Sequence, residues 1–95
     1  MTKKKAPFKF LVLREITGHF LDAAAQDVHG TLNAVGIRCS VPEFYEGAGM
    51  LQESGLIEVS FRHAGADDEF ALLRCYRITS LGKAALADAL ETYEF

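Results

Sequence analysis

Long apolar runs are missing from this 95-residue chain: none approaches the ~20 consecutive apolar residues that a bilayer span requires. The N-terminal apolar stretch is brief and broken by Lys9 and Arg14, so a soluble chain is expected. Cysteine is scarce. Cys39 and Cys75 are too few for the disulfide framework of a small secreted domain, so both are expected as thiols filling core or surface in a reducing compartment. With 8 Gly, 2 Pro, 49% apolar and 24% charged residues, the composition excludes collagenous and disordered chains. Positive charge is not in excess either: 10 Lys and Arg face 13 Asp and Glu, a net charge of −3, whereas a strong nucleic-acid binder is more often basic. The expectation is a cytoplasmic single domain, residues 1–95, with one modest core.

The residue patterns of common catalytic sites are absent as well. Gly47-Ala48-Gly49 falls within a helical pattern and lacks the Lys-Ser/Thr continuation of a phosphate-binding loop. His19, His29 and His63 stand singly, and the two cysteines are far apart, so no zinc-ligand or Cys-His spacing forms. No catalytic, cofactor-binding or metal-binding residue is therefore expected, and an enzyme is not.

The charge that is present is polarised. Lys3, Lys4, Lys5, Lys9 and Arg14 all precede the first acid, Glu15, while Asp88, Glu91 and Glu94 lie at the other end. Residues 1–6 read as a flexible basic arm.

From Pro7, the spacing of Phe8, Leu11, Val12, Ile16 and Phe20 predicts a helix, with Gly18 near its end. Phe10 and Leu13 add a second apolar face, more than one small core needs. A second helix is expected over Ala23–Val35, with Asp22 as N-cap, Gly36 as its stop and Gly30 weakening its middle. Ser40-Val41-Pro42-Glu43 is a capping box, the clearest helix start in the chain. Val41, Phe44, Ala48 and Leu51 then mark a buried stripe that ends at Gly55. Next, Ile57, Val59 and Phe61 alternate with Glu58, Ser60 and Arg62 as a strand with one wet face. A turn at His63–Asp68 and an apolar run over Glu69–Ile78 complete a hairpin. Thr79 can cap a last helix from Ser80 to about Tyr93, with a broad apolar band.

This order gives an α+β, mostly α fold: a winged helix-turn-helix of three helices, a two-stranded wing and a C-terminal helix. The stretch from Phe44-Tyr45 through Met50-Leu51-Gln52-Glu53-Ser54-Gly55-Leu56-Ile57-Glu58 resembles the PadR family of bacterial transcriptional regulators. So does Arg74-Cys75-Tyr76-Arg77-Ile78-Thr79-Ser80-Leu81-Gly82-Lys83-Ala84-Ala85-Leu86, which is similar to that family's wing strand and the start of its last helix. The resemblance is close from the third helix onward and rests on helix order before it; related winged-helix families such as MarR share these features. It implies a homodimeric regulator of transcription that binds double-stranded DNA and pairs through its last helix, residues 80–95, together with its first. Phe10, Leu13, Leu86, Leu90 and Tyr93 are the expected dimer interface.

The third helix departs from ordinary readout. Its outer face carries Pro42, Glu43, Glu46, Gly47, Met50 and Glu53, and no Lys or Arg occurs from Ser40 to Glu58. Phosphate and guanine contacts call for positively charged donors. Glu46 and Glu53 can accept from cytosine amino groups or simply be solvated, and Gly47 and Gly49 admit either close backbone approach to a partner or local packing. The wing tip, Asp67-Asp68-Glu69, is acidic too. DNA contacts are therefore expected from Lys3, Lys4, Lys5, Arg38, Ser40, Pro42, Glu46, Arg62 and His63, with Arg74, Arg77 and Lys83 as further cations. The alternative is a winged-helix protein–protein interaction module that does not bind DNA and meets its partner with the acidic third helix and wing.

Overall fold

The computed structural model describes residues 3–19, 22–65 and 68–95. The elements run β1 (Lys4–Lys5), α1 (Phe8–Thr17), β2 (Ala23–Ala24), α2 (Ala25–Ala34), α3 (Val41–Glu53), β3 (Ile57–Gly65), β4 (Asp68–Ile78), α4 (Ser80–Thr92) and β5 (Tyr93–Glu94). The main sheet has the order β2-β4-β3, antiparallel throughout, and a separate parallel ladder joins β1 to β5. Three helices, a hairpin and a last helix follow in the order expected. The expected core position Phe20, and Met1 and Thr2 of the arm, lie outside the described residues.

Helix α1 packs against α2, α3, β4 and α4, which explains its second apolar face. Val12, Leu13 and Ile16 are all buried there. Phe44 and Leu51 of α3 meet Ile57 of β3 and Tyr76 of β4 in the same cluster, and the Phe44 and Tyr76 rings lie 6.1 Å apart, edge to face. Val41 is not part of the stripe: it is 53% exposed, because the first turn of α3 projects beyond the core.

Both ends of the connection into and out of α3 are fixed by glycines with positive φ, Gly36 at 91° and Gly55 at 75°. After α2, the Ile37 N–H donates to the Leu32 carbonyl (2.9 Å) and that of Gly36 to Asn33 (3.1 Å). After α3, the Leu56 N–H donates to Leu51 (2.9 Å) and that of Gly55 to Gln52 (3.0 Å). This paired pattern satisfies the orphan carbonyls of a helix end and needs a left-handed residue, which glycine adopts at least cost.

Asp22 does not cap α2. Ala23 and Ala24 are extended and pair with Tyr76 and Cys75 of β4, so the helix begins at Ala25 with no side-chain cap. Asp22 instead accepts from Nε of Arg77 at 2.8 Å. The hairpin is longer than expected. β3 continues through His63 to Gly65, which pairs with Asp68, and a register irregularity falls between His63 and Gly65. Asp67 of the expected acidic tip lies outside the described residues. The basic arm is also tied down in part, since Lys4 pairs with Tyr93, Lys5 with Glu94, and the Ala6 N–H donates to the Glu94 carbonyl at 2.9 Å.

Thr79 joins three elements. Its hydroxyl accepts from the Gly82 N–H (3.0 Å), capping α4, and donates to the Gly55 carbonyl (2.7 Å). Gly82 is packed so closely that a Cβ there would run into the Leu56 carbonyl oxygen and the Ile78 side chain. Gly30, in the exposed middle of α2, has open space on that side, with nothing within 4 Å of where a Cβ would stand. Gly82→Ala should therefore lower the thermal midpoint severely, whereas Gly30→Ala should raise stability by about 0.5–1 kcal/mol through helix propensity. Paired urea titrations of the two variants measure both signs.

Candidate nucleic-acid interface

The loop that delivers the chain into α3 is held by two α2 side chains one helical turn apart. Asn33 accepts from the Cys39 N–H through Oδ1 (3.1 Å) and donates through Nδ2 to the His29 carbonyl (2.9 Å). His29 Nε2 lies 2.9 Å from the Cys39 carbonyl and 3.2 Å from Asn33 Nδ2. The His29 ring also packs edge-on against Phe44 at 5.5 Å. These contacts give the singly placed His29 a structural task and set Arg38 at the mouth of a polar recess with Ser40 and Glu43. Burial pushes the Cys39 thiol up, and the Glu43 charge adds to the effect, so it is a thiol at neutral pH.

The capping box is present in both halves. Ser40 Oγ accepts from the Glu43 N–H at 3.2 Å, and Glu43 Oε1 accepts from the Ser40 N–H at 3.2 Å. The hydrogen bonds from Ser40 hold the Glu43 carboxyl below the usual carboxylate range. Pro42 sits in the first turn, exposed, and Glu46 and Glu53 are exposed further along. Gly47, in contrast, is buried. A Cβ there would stand 3.0 Å from Phe8 Cε2, so its bareness serves the close crossing of α1 over α3 rather than approach by a partner.

The cations sort into two groups. Lys3, Lys4, Lys5, Arg38 and Arg62 are exposed, as is the His63 ring beside Arg62. Arg74 is half-buried between α3 and the hairpin, with Nε donating to the Tyr76 hydroxyl at 3.2 Å. Burial pushes the Tyr76 phenol up, and Arg74 opposes that shift. Arg77 is paired with Asp22. The sequence carries no period or motif from which these two attachments can be read.

The expected dimer residues are largely used within the chain. Leu13 is 0% and Leu86 9% exposed, because both complete the core around α1. Phe10 stacks on Tyr93 at 5.9 Å, holding the start of α1 to the end of α4. Leu90 remains exposed, together with Leu81 on the same helix. Among the described residues no group of three or more His, Cys, Asp or Glu could hold a metal ion, and no helix is long and apolar enough to cross a membrane.

No protein-family model and no curated protein matches the sequence. Solved structures do match the three-dimensional arrangement. A PadR-like transcription factor from Bacteroides fragilis superposes with a TM-score of 0.68 at 17% identity, covering 88% of this chain and 76% of that one. A PadR family transcription regulator from hypervirulent Clostridium difficile gives a TM-score of 0.73 at 12% identity, covering 87% and 82%. The fold is that of the PadR-like winged-helix regulators. A protein of Thermoplasma acidophilum assigned as a transcriptional regulator agrees, with a TM-score of 0.71 at 16% identity over 84% of this chain and 73% of that one. In the PadR-like frame, α2 and α3 form the helix-turn-helix and β3–β4 the wing.

Ser40→Ala should cost about 1 kcal/mol, measurable by chemical unfolding, since it removes the acceptor for an orphan N–H. It should also reduce acid sensitivity. Glu43 has a lowered carboxyl pKa in the fold, so its contribution is complete above the ordinary carboxylate value of about 4.3 and is lost as pH falls through its lowered value. Stability curves of the parent and Ser40→Ala proteins should thus draw closer as the pH is taken below that range, leaving the pH-independent loss of the Ser40 Oγ cap on the Glu43 N–H.

Proposed function

We propose that this chain is a DNA-binding transcriptional regulator of the PadR-like winged-helix type that acts as a homodimer. The observation that carries the reading is the fold itself, which presents α3 and the wing as adjoining exposed elements, together with transcriptional regulators as its structural neighbours. Arg38 before α3, Arg62 on the wing, and Lys3, Lys4 and Lys5 at the N-terminal end supply exposed positive charge, and His63 adds an exposed ring on the wing. Ser40 and Pro42 stand on its exposed first turn and Glu46 on its outer face. Because the outer face of α3 bears Glu43, Glu46 and Glu53 with no cation from Ser40 to Glu58, affinity comes mainly from phosphate tracking by the flanking cations. The reading includes no catalytic step, no cofactor and a cytoplasmic setting.

Titration of a generic duplex at several salt concentrations tests this directly. The parent protein should lose affinity steeply with salt. Replacing Lys3, Lys4 and Lys5 by Ala should weaken binding to every duplex alike and flatten the salt slope by up to about three phosphate contacts. Glu46→Gln should strengthen generic binding by removing repulsion. The same acidic helix favours a second reading, a module that docks a protein partner on α3 and the wing. Absence of binding to any duplex at low salt would put that reading first.

For the homodimer, the support is the exposed Leu90 at the rim of an apolar groove with Ile16, Ile78 and Leu86. Leu90→Asp should shift sedimentation from dimer to monomer. A parent protein that sediments as a monomer at high concentration would remove this part of the proposal.

A further inference from the structure

The distal hairpin is a ribbon of two strands only. β2 pairs with β4 at Cys75 and Tyr76, and beyond Cys75 no third strand among the described residues supports it. Two-stranded ribbons are marginal on their own. The Thr79 contacts with Gly55 and Leu56 fix only the base of the hairpin to the end of α3, so its distal part needs a further restraint.

That restraint is Arg74. It lies directly opposite Phe61 in the ladder, which puts both side chains on one face of the ribbon. Its guanidinium carbon is 5.8 Å from the centre of the Phe61 ring, 5.8 Å from that of Tyr76 and 5.9 Å from that of Tyr45 on α3. These distances lie within the range of cation–π attraction. Besides the bond to Tyr76, Nη2 makes a long 3.4 Å contact with Oε1 of Gln52 on α3. Tyr45 and Gln52 are two helical turns apart on one side of α3, so a single guanidinium bridges that length of helix to both strands of the wing. A planar, weakly hydrated cation suits such a site and an ammonium does not.

We propose that Arg74 is a positioning residue that sets the angle of the β3–β4 wing against α3 without itself contacting nucleic acid. Its effect on DNA affinity rests on the function proposed above; its effect on the wing does not.

The test uses the full chain with Arg74→Ala and Arg74→Lys, read by amide hydrogen exchange and by duplex affinity against salt. Exchange at Val59–His63 and Leu72–Cys75 should quicken about tenfold in both variants, the combined effect of losing contacts of this kind. The change at Val12 and Leu13 in α1, which report overall stability, should be smaller. Duplex affinity should fall in both variants with the salt slope unchanged. A slope lower by about one in Arg74→Ala would mean that Arg74 contacts a phosphate, and would overturn the proposal. So would an Arg74→Lys protein with parent-like exchange and affinity, or equal acceleration in α1 and the wing. Should Arg74→Ala fail to fold, Arg74→Lys and Gln52→Ala carry the same comparison, with Gln52→Ala giving a smaller acceleration in the same amides. If the parent binds no duplex, the DNA-binding reading fails while exchange alone decides the clamp: acceleration concentrated in the wing supports it, and unchanged exchange refutes it.

Discussion

The carbonyl of Leu56 is the point on which the arrangement of α3, the wing and α4 depends. It accepts from the Thr79 N–H at 3.0 Å and lies against Gly82, where any side chain would collide with it. Thr79 in turn donates to the Gly55 carbonyl and accepts from the Gly82 N–H. The end of α3, the base of the hairpin and the first turn of α4 are thereby fixed to one another within a few residues. Each bond is worth only about 1 kcal/mol on its own, so the rigidity comes from their sharing of the same atoms. A helix that presents side chains to a partner and a wing that flanks it need such a common origin, since a small error in angle at the turn becomes a large displacement along a nine-residue strand.

The fold and the charge pull in different directions. The architecture exposes α3 along its outer side, yet that side has carboxylates where phosphate or guanine would require donors. Arg38 precedes α3, Arg62 lies on the wing, Lys9 of α1 lines a groove with Glu43 and Glu46, and Lys4 and Lys5 lie in the β1–β5 ladder. Charge placed around an acidic strip favours backbone tracking over base readout, because phosphates run along both sides of a groove while base edges lie at its floor. The acidic strip also opposes nonspecific adhesion, which tempers the general stickiness that a wholly basic surface brings.

Features with a local physical cause were legible in the sequence. The Ser40–Glu43 capping box, the stop at Gly55 and the Thr79 cap each need only residues within one turn, and each is present, while the alternation from Ile57 holds through Val59 and ends at the exposed Phe61. Features set by distant neighbours were not. Asp22 is an apt N-cap by residue type, but pairing of Ala23 and Ala24 with β4 pulls the segment straight and delivers Asp22 to Arg77. Leu13 and Leu86 read as surplus because the helical pattern does not reveal that α1 has neighbours on several sides. Gly47 admits two readings in sequence, and only the Phe8 ring lying against it decides between them.

The same distinction governs the candidate interface. Arginine is one residue type with at least three uses here, and sequence position does not separate them. Arg77 meets Asp22 at the surface, a pairing worth at most about 1 kcal/mol in water. Arg74 is enclosed by rings and satisfies a buried phenol, so its removal would leave the Tyr76 hydroxyl without its partner, a larger loss than that of an exposed ion pair. Arg38 and Arg62 are exposed, Arg38 in the loop before α3 and Arg62 on the wing. Positive charge in a winged helix thus counts toward a partner only after the cations that hold the wing and the sheet have been set aside. Counting arginines in the sequence would overstate the electrostatic footprint, and no cation lies on α3 itself.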